Sequence, residues 1–231
     1  MTDQIEYSVF STHVGKSRLS SLGDIYRSSC TQECLDLFSK YLKEDRDNLL
    51  DHKEYLAGVA YKQLSLFNEG FPREINRIPL DLFELFKLNL DAHITNIFGG
   101  QVGWILESIW VNIMLPGDFQ PLHRHTGSLS YVWYIDVPQI IYRDNDEYER
   151  KEPDGSSPYG EIHFHWPSLR EPNFLGTRKI RPETGDLLIF DASHQHVVYP
   201  FKEPVERISI SGNIRLGNSI NSGLDGDIYE V

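Results

Sequence analysis

Residues 117–134, GDFQPLHRHTGSLSYVWY, set two imidazoles, His123 and His125, two positions apart. A turn at Pro116, Gly117 and Asp118 precedes them, and a strand-like run follows. In an extended strand, residues i and i+2 project from the same face, so both rings can address a single ion. The pattern therefore suggests a metal site built on a β framework. Working outward, residues 185–201, GDLLIFDASHQHVVYPF, turn at Gly185 and Asp186 into an apolar strand and then reach His196. Arg207 follows in ERISISGN. A close histidine pair, a distant histidine and an arginine form one arrangement if the fold brings them together.

The segments around this stretch predict several short strands separated by Gly/Pro turns. WILESIWVNIML (104–115) places Trp110, Asn112 and Met114 on one face and Val111, Ile113 and Leu115 on the other, as in a strand covered on both sides. LSYVWYIDV (129–137), GEIHFHW (160–166), LLIF (187–190) and RISISGNIRL (207–216) read the same way. The last has a polar face of Arg207, Ser209, Ser211 and Asn213 opposite Ile208, Ile210, Gly212 and Ile214.

The first hundred residues read differently. Ile5, Tyr7 and Val9 alternate as in an edge strand, and a polar Ser/Gly loop follows. From Ser29 the period becomes helical: Ser29 and Gln32 fit a capping box, and Leu35, Phe38, Tyr41 and Leu42 share a face. A second helix is expected over 53–67, ending at Asn68, Glu69, Gly70 and Pro72. Residues 79–97 fit both periods, and their length decides for helix, with Pro79 at the start and Gly99 and Gly100 at the end. His93 on that helix is expected to be packed or at the surface rather than a ligand. The architecture predicted is mainly β (α+β): a double-stranded β-helix, or jelly-roll barrel, with N-terminal helices packed on its outer face.

At 231 residues the chain is expected to form a single domain. Residues 1–100 would give a strand and helical support, 101–216 the jelly-roll core, and 217–231 a loosely packed tail. An insert at 139–178, long and charged at its start, suits a lid. The net charge of −12, without a Lys/Arg cluster interleaved with aromatics, argues against a nucleic-acid partner. No apolar run approaches the roughly 18 residues of a membrane span, and MTDQIEYSVF lacks signal-peptide features, so a cytoplasmic location is expected. Cys30 and Cys34 are expected to be buried thiols, neither a disulfide framework nor a zinc site. An exposed β edge near the N-terminus would let two copies pair as a homodimer.

Taken together, the motifs resemble the 2-oxoglutarate/Fe(II)-dependent oxygenases of bacteria and phages, a family of cupin-like barrels. The residues that carry the resemblance are Trp110 and Asn112; Pro121, His123 and His125; Ser128, Ser130 and Tyr134; Gly185, Asp186, Leu187 and Phe190; His196, Val198 and Pro200; and Arg207, Ser209 and Asn213. The likeness covers about residues 109–216, less the insert. It implies that the polar face of the last strand lines the barrel lumen.

Three H-x-H pairs occur, His123/His125, His163/His165 and His194/His196, and the sequence alone lets any of them chelate. The oxygenase pattern and the cupin spacing G-x5-H-x-H, which starts at Gly117, select the same three ligands: His123, His125 and His196. His194, His163 and His165 are then outer or substrate-side groups. One departure matters. Oxygenases of this kind usually bind iron through two histidines and a carboxylate, whereas here His125 holds the carboxylate position. Three neutral ligands leave the ion one more net positive charge. Alternatively, water or a distant carboxylate such as Asp191 completes the site.

The resemblance implies Fe(II), 2-oxoglutarate as co-substrate and dioxygen. Oxidative decarboxylation of 2-oxoglutarate to succinate would be coupled to hydroxylation of a prime substrate that the sequence leaves open. Arg207 offers a planar fork for the distal carboxylate, assisted by Ser209, with Tyr134 and Asn112 as further co-substrate contacts. Trp110, Asn213 and His194 are candidate pocket residues. Two other readings stand beside this one. The first is a cupin-type three-histidine dioxygenase or isomerase working without 2-oxoglutarate. The second is a non-catalytic jelly-roll binding module.

Overall fold

The structure is a computed structural model, and it describes residues 25–51, 58–66, 78–100, 102–142, 157–167 and 175–217. In chain order the elements are β1 (Ile25–Ser29), α1 (Gln32–Asp45), β2 (Leu50–Asp51), β3 (Lys62–Ser65), α2 (Leu80–Phe98) and β4 (Trp104–Met114). There follow β5 (Gln120–His123), β6 (Leu129–Asp136), β7 (Ile162–Pro167), β8 (Leu175–Ile180), β9 (Asp186–Asp191), β10 (Gln195–Val198) and β11 (Arg207–Leu216). The strands form two antiparallel sheets. One runs in the order β1-β9-β6-β11-β4-β3-β2, the other β5-β10-β7-β8.

Period-two alternation sorts the large sheet into two faces. From β4, β6, β9 and β11, one face sends Val111, Ile113, Tyr131, Trp133, Leu187, Ile189 and Ile210 into a core shared with α1 and α2. Phe38 of α1 meets Trp133 edge-on at 5.0 Å, and Phe86 of α2 stacks on the same indole at 5.3 Å. Such aromatic contacts add about 0.5–1.5 kcal/mol each beyond the area they bury. Both helices thus cover the outer face of the large sheet, as the predicted architecture requires. The inner face turns Val132, Tyr134, Leu188 and Phe190 toward Ile162, Phe164 and Val198 of the small sheet. A cavity lies between the two sheets.

Gly212 on β11 faces the helix side, and the neighbouring strands leave it no room. A Cβ there would stand 2.2 Å from the Ser108 carbonyl oxygen and 2.4 Å from the Tyr131 hydroxyl. Gly99 closes α2 in the left-handed region at φ 68°, where glycine has no Cβ penalty. Among the described residues no helix is long and apolar enough to cross a membrane. Both cysteines are buried and unbonded to each other, as expected.

Several local expectations fail. The side chain that caps α1 is Thr31, which accepts a hydrogen bond from the Cys34 amide; Ser29 ends β1 instead. Cys30 consequently precedes the helix. Residues 25–29, read as loop, pair with β9 from Ile25↔Phe190 to Ser29↔Asp186. The expected helix over 53–67 is contradicted by β3, which pairs with β4 at Gln63↔Asn112. Here tertiary pairing overrides a weak local preference. Strands β8 and β10 also went unanticipated. The expected strand around Ile5, the tail after Gly217 and the insert over 143–156 and 168–174 lie outside the described residues.

Candidate metal centre

Strand β5 supplies His123, the chain just beyond it His125, and β10 His196. Antiparallel pairing sets His196 directly opposite His123. The ring centroids stand 4.2 Å apart for His123 and His196, 4.9 Å for His123 and His125, and 5.1 Å for His125 and His196. One ring nitrogen from each lies within 4.8 Å of the others, close enough to share one ion. A register shift between His196 and Val198, which pair with His123 and Gln120, lets β5 bulge outward at Pro121 and Leu122. Gln120 and His123, three residues apart, therefore both line the cavity.

Two of the rings are held in the tautomer a metal needs. His123 Nδ1 lies 2.7 Å from the Pro121 carbonyl oxygen and His196 Nδ1 lies 3.0 Å from that of His194. A carbonyl only accepts, so each Nδ1 carries the proton and each Nε2 presents a bare lone pair. Burial also favours the neutral form. It lowers His123 from the usual range. It takes His125 to about 4 with help from His123, and His196 to about 3 with help from both neighbours. Three neutral imidazoles with free nitrogens fit a divalent ion such as Fe(II) or Zn(II).

The other candidates fall elsewhere. Asp191 spends its carboxylate on its own turn, accepting from the Ser193 amide at 2.8 Å and the Ser193 hydroxyl at 2.6 Å, and is outside the histidine group. His194 contributes its main-chain carbonyl to His196, but its side chain does not line the cavity. Asn213 likewise sits beyond it, accepting from the Ser130 hydroxyl at 2.8 Å. His163 is buried against Glu161 at 2.7 Å, and His165 lies 3.0 Å from the Thr177 hydroxyl. On β7 it is Phe164, between these two, that faces His196.

Arg207 lies at the closed end of the cavity and is 2% exposed. Its Nη1 donates to the Gly160 carbonyl at 2.8 Å and its Nη2 to the Met114 sulfur at 2.8 Å, while Nε has no partner among the described residues. Among the described residues that line this cavity there is no carboxylate. Beside the arginine are Ser209 and Tyr134. Burial pushes the Tyr134 phenol up to about 12, against the pull of Arg207, so it remains a hydrogen-bond donor. Asn112 and Trp110 complete the wall, and so do residues that the motif reading missed: Gln63, Met114, Gln120 and Ser211. Gln120 had a signal, its place three residues before His123 at a strand start. Gln63 had none, because it enters through the pairing of β3 with β4. Gln120, His123, His125 and Ser211 are the partly exposed lining residues near the mouth, and Arg207, Tyr134, Asn112 and Ser209 are buried.

No curated protein matches the chain by sequence. The fold is similar to a prolyl hydroxylase from Trichoplax adhaerens in complex with a hypoxia inducible factor peptide fragment. The identity is 12%, covering 86% of this chain and 84% of that one, with TM-score 0.51. It is similar also to a viral collagen prolyl hydroxylase from Paramecium Bursaria Chlorella virus-1 in its 2OG complex, at 13% identity, 83% and 96% coverage and TM-score 0.50. A Pseudomonas putida prolyl-4-hydroxylase aligns at 15% identity, 84% and 93% coverage and TM-score 0.47. The first two likenesses identify the jelly-roll fold. Residues 108–213 match the family model described as "Putative 2OG-Fe(II) oxygenase", and that span contains His123, His125, His196 and Arg207. Through this core, a little under half of the chain, the protein is similar to the 2OG-Fe(II) oxygenases, a family of oxidoreductases that use Fe(II), 2-oxoglutarate and dioxygen.

Proposed function

We propose that the chain hydroxylates its prime substrate, with His123, His125 and His196 holding Fe(II) and Arg207 holding the distal carboxylate of 2-oxoglutarate. The observation that carries this is the buried guanidinium of Arg207, without a carboxylate partner among the described residues, in the same cavity as a three-histidine cluster. An unpaired buried cation is costly, and a carboxylate ligand would relieve that cost. Ser209 and Tyr134 would add hydroxyl donors to the same carboxylate. Bound iron and co-substrate supply the oxidising chemistry. The protein's part is to position the reacting carbon and to keep water from the buried end.

The test is succinate formation from 2-oxoglutarate by the Fe(II)-reconstituted protein, compared with Arg207→Ala and His196→Ala. Succinate made by the wild type and lost in both variants supports the reading. A second reading keeps the metal and drops the co-substrate: a three-histidine cupin-type enzyme. It is favoured by the absence of any carboxylate from the ligand group. Metal binding without 2-oxoglutarate binding would select it.

A further inference from the structure

Gln63 is 1% exposed, lines the cavity and has a side-chain oxygen, Oε1, with no hydrogen-bond partner among the described residues. It lies outside residues 108–213, so the family match assigns it nothing. The amide orientation follows from its neighbours. Trp110 Nε1 can only donate, and it sits 3.2 Å from Asn112 Oδ1, which fixes that oxygen as an acceptor. Asn112 Nδ2 donates to the Ser211 hydroxyl at 3.0 Å, as the same orientation requires. Gln63 must therefore present Nε2 to Asn112 Oδ1, at 3.0 Å, and its own oxygen is left over. Gln120 Nε2 approaches the same Oδ1 at 3.4 Å, so its oxygen too is directed away from Asn112.

A buried acceptor without a donor costs about as much as a lost hydrogen bond. The co-substrate cannot relieve it, because 2-oxoglutarate is a dianion at neutral pH and has only acceptors. None of the described residues supplies the missing donor, so it comes from another molecule in the cavity: water while the site is empty, and a bound ligand that displaces that water. A cation is a poor choice, since the described lining has no carboxylate and already holds Arg207. We propose that Gln63 is a specificity-determining residue for the prime substrate, its Oε1 accepting a hydrogen bond from a neutral N–H or O–H group on that substrate. The proposal rests on the reading of the cavity as an oxygenase site.

The test uses protein loaded with redox-inert Zn(II) and 2-oxoglutarate, titrated by ligand-observed NMR with paired probes. Acetamide and benzamide are compared with their N,N-dimethyl counterparts, and benzyl alcohol with benzyl methyl ether. The wild type should bind the donor-bearing member of at least one pair roughly tenfold more tightly. Gln63→Met, which removes the acceptor oxygen, should bring that ratio near unity. Because each ratio is taken within one protein, a general loss of affinity or stability does not imitate the effect. A wild-type ratio near unity in every pair, or no probe binding, would overturn the proposal; so would an unchanged ratio in Gln63→Met. Failure of the wild type to bind 2-oxoglutarate, measured separately, would count against the oxygenase reading, while the probe ratios would still decide the role of Gln63.

Discussion

His196 stands across the β10–β5 pairing from His123, with 4.2 Å between ring centroids, and each ring gives its Nδ1 proton to a main-chain carbonyl. His125 shares the cluster, but its ring makes no hydrogen bond among the described residues. Outer hydrogen bonds of this kind orient a ligand and raise metal affinity by roughly 10–100-fold. His123→Ala and His196→Ala should therefore lose more affinity than His125→Ala, by about tenfold or more. Zn(II) competition against a chromophoric chelator measures this. Equal losses in all three variants would show that the carbonyl contacts do not rank the ligands.

Arg207→Lys keeps the charge but loses the planar fork. Hydrogen bonds to charged groups contribute about 1.5–3 kcal/mol, so 2-oxoglutarate should bind roughly 10–150-fold more weakly to the Zn(II)-loaded variant. Zn(II) affinity should stay close to that of the wild type, because Arg207 is outside the histidine group. Titration calorimetry reads both. Co-substrate affinity unchanged in the variant would remove Arg207 from the proposed role.

The metal-free protein should lose stability as pH falls from 7 to 5. Burial holds His93 at about 4, and burial with neighbouring histidines holds His196 at about 3, against 6.5 for the free side chain. A depressed folded-state value means that the unfolded chain takes up protons first. Stability is then full above about pH 6.5 and drains as pH falls toward 3–4. The slope approaches 1.4 kcal/mol per pH unit for each such histidine, or about 2 kcal/mol apiece by pH 5. Urea unfolding in the presence of a chelator should show this fall. A flat profile from pH 7 to 5 would contradict the buried neutral state of both rings.

Gly212→Ala should destabilise the fold, because the added methyl meets the Ser108 carbonyl at 2.2 Å and the Tyr131 hydroxyl at 2.4 Å. Overpacking of this type costs about 1–3 kcal/mol, read as a lower urea midpoint. A variant as stable as the wild type would mean that the strand yields at no cost.

Where local pattern decided the structure, the sequence was legible. The alternation through Trp110, Asn112 and Met114 told inward from outward residues, and Pro79 with Gly99 bracketed α2. The H-x-H spacing at His123 marked two rings that do come together, although β5 ends at His123 and His125 stands just beyond the strand rather than on it. Other features depended on partners far along the chain. Lys62–Ser65 is a strand because β4 lies beside it, and Ile25–Ser29 because β9 does. Neither short segment contains enough period to announce itself. Gln63 enters the cavity by that same non-local pairing, so no motif could point to it. Thr31 rather than Ser29 caps α1 because pairing with β9 already claims Ser29.

The gradient of exposure along the cavity, from Gln120, His123 and His125 at the mouth to Arg207 at the closed end, sets an order of traffic. Under the proposed function, a co-substrate held by Arg207 would enter past the less buried His123 and His125, and a substrate seated over Gln120 and His125 would block the way back. The vessel fills from the bottom and empties from the top. Its first arrival is its last departure, so turnover at high substrate should slow through a backlog of spent co-substrate that cannot leave.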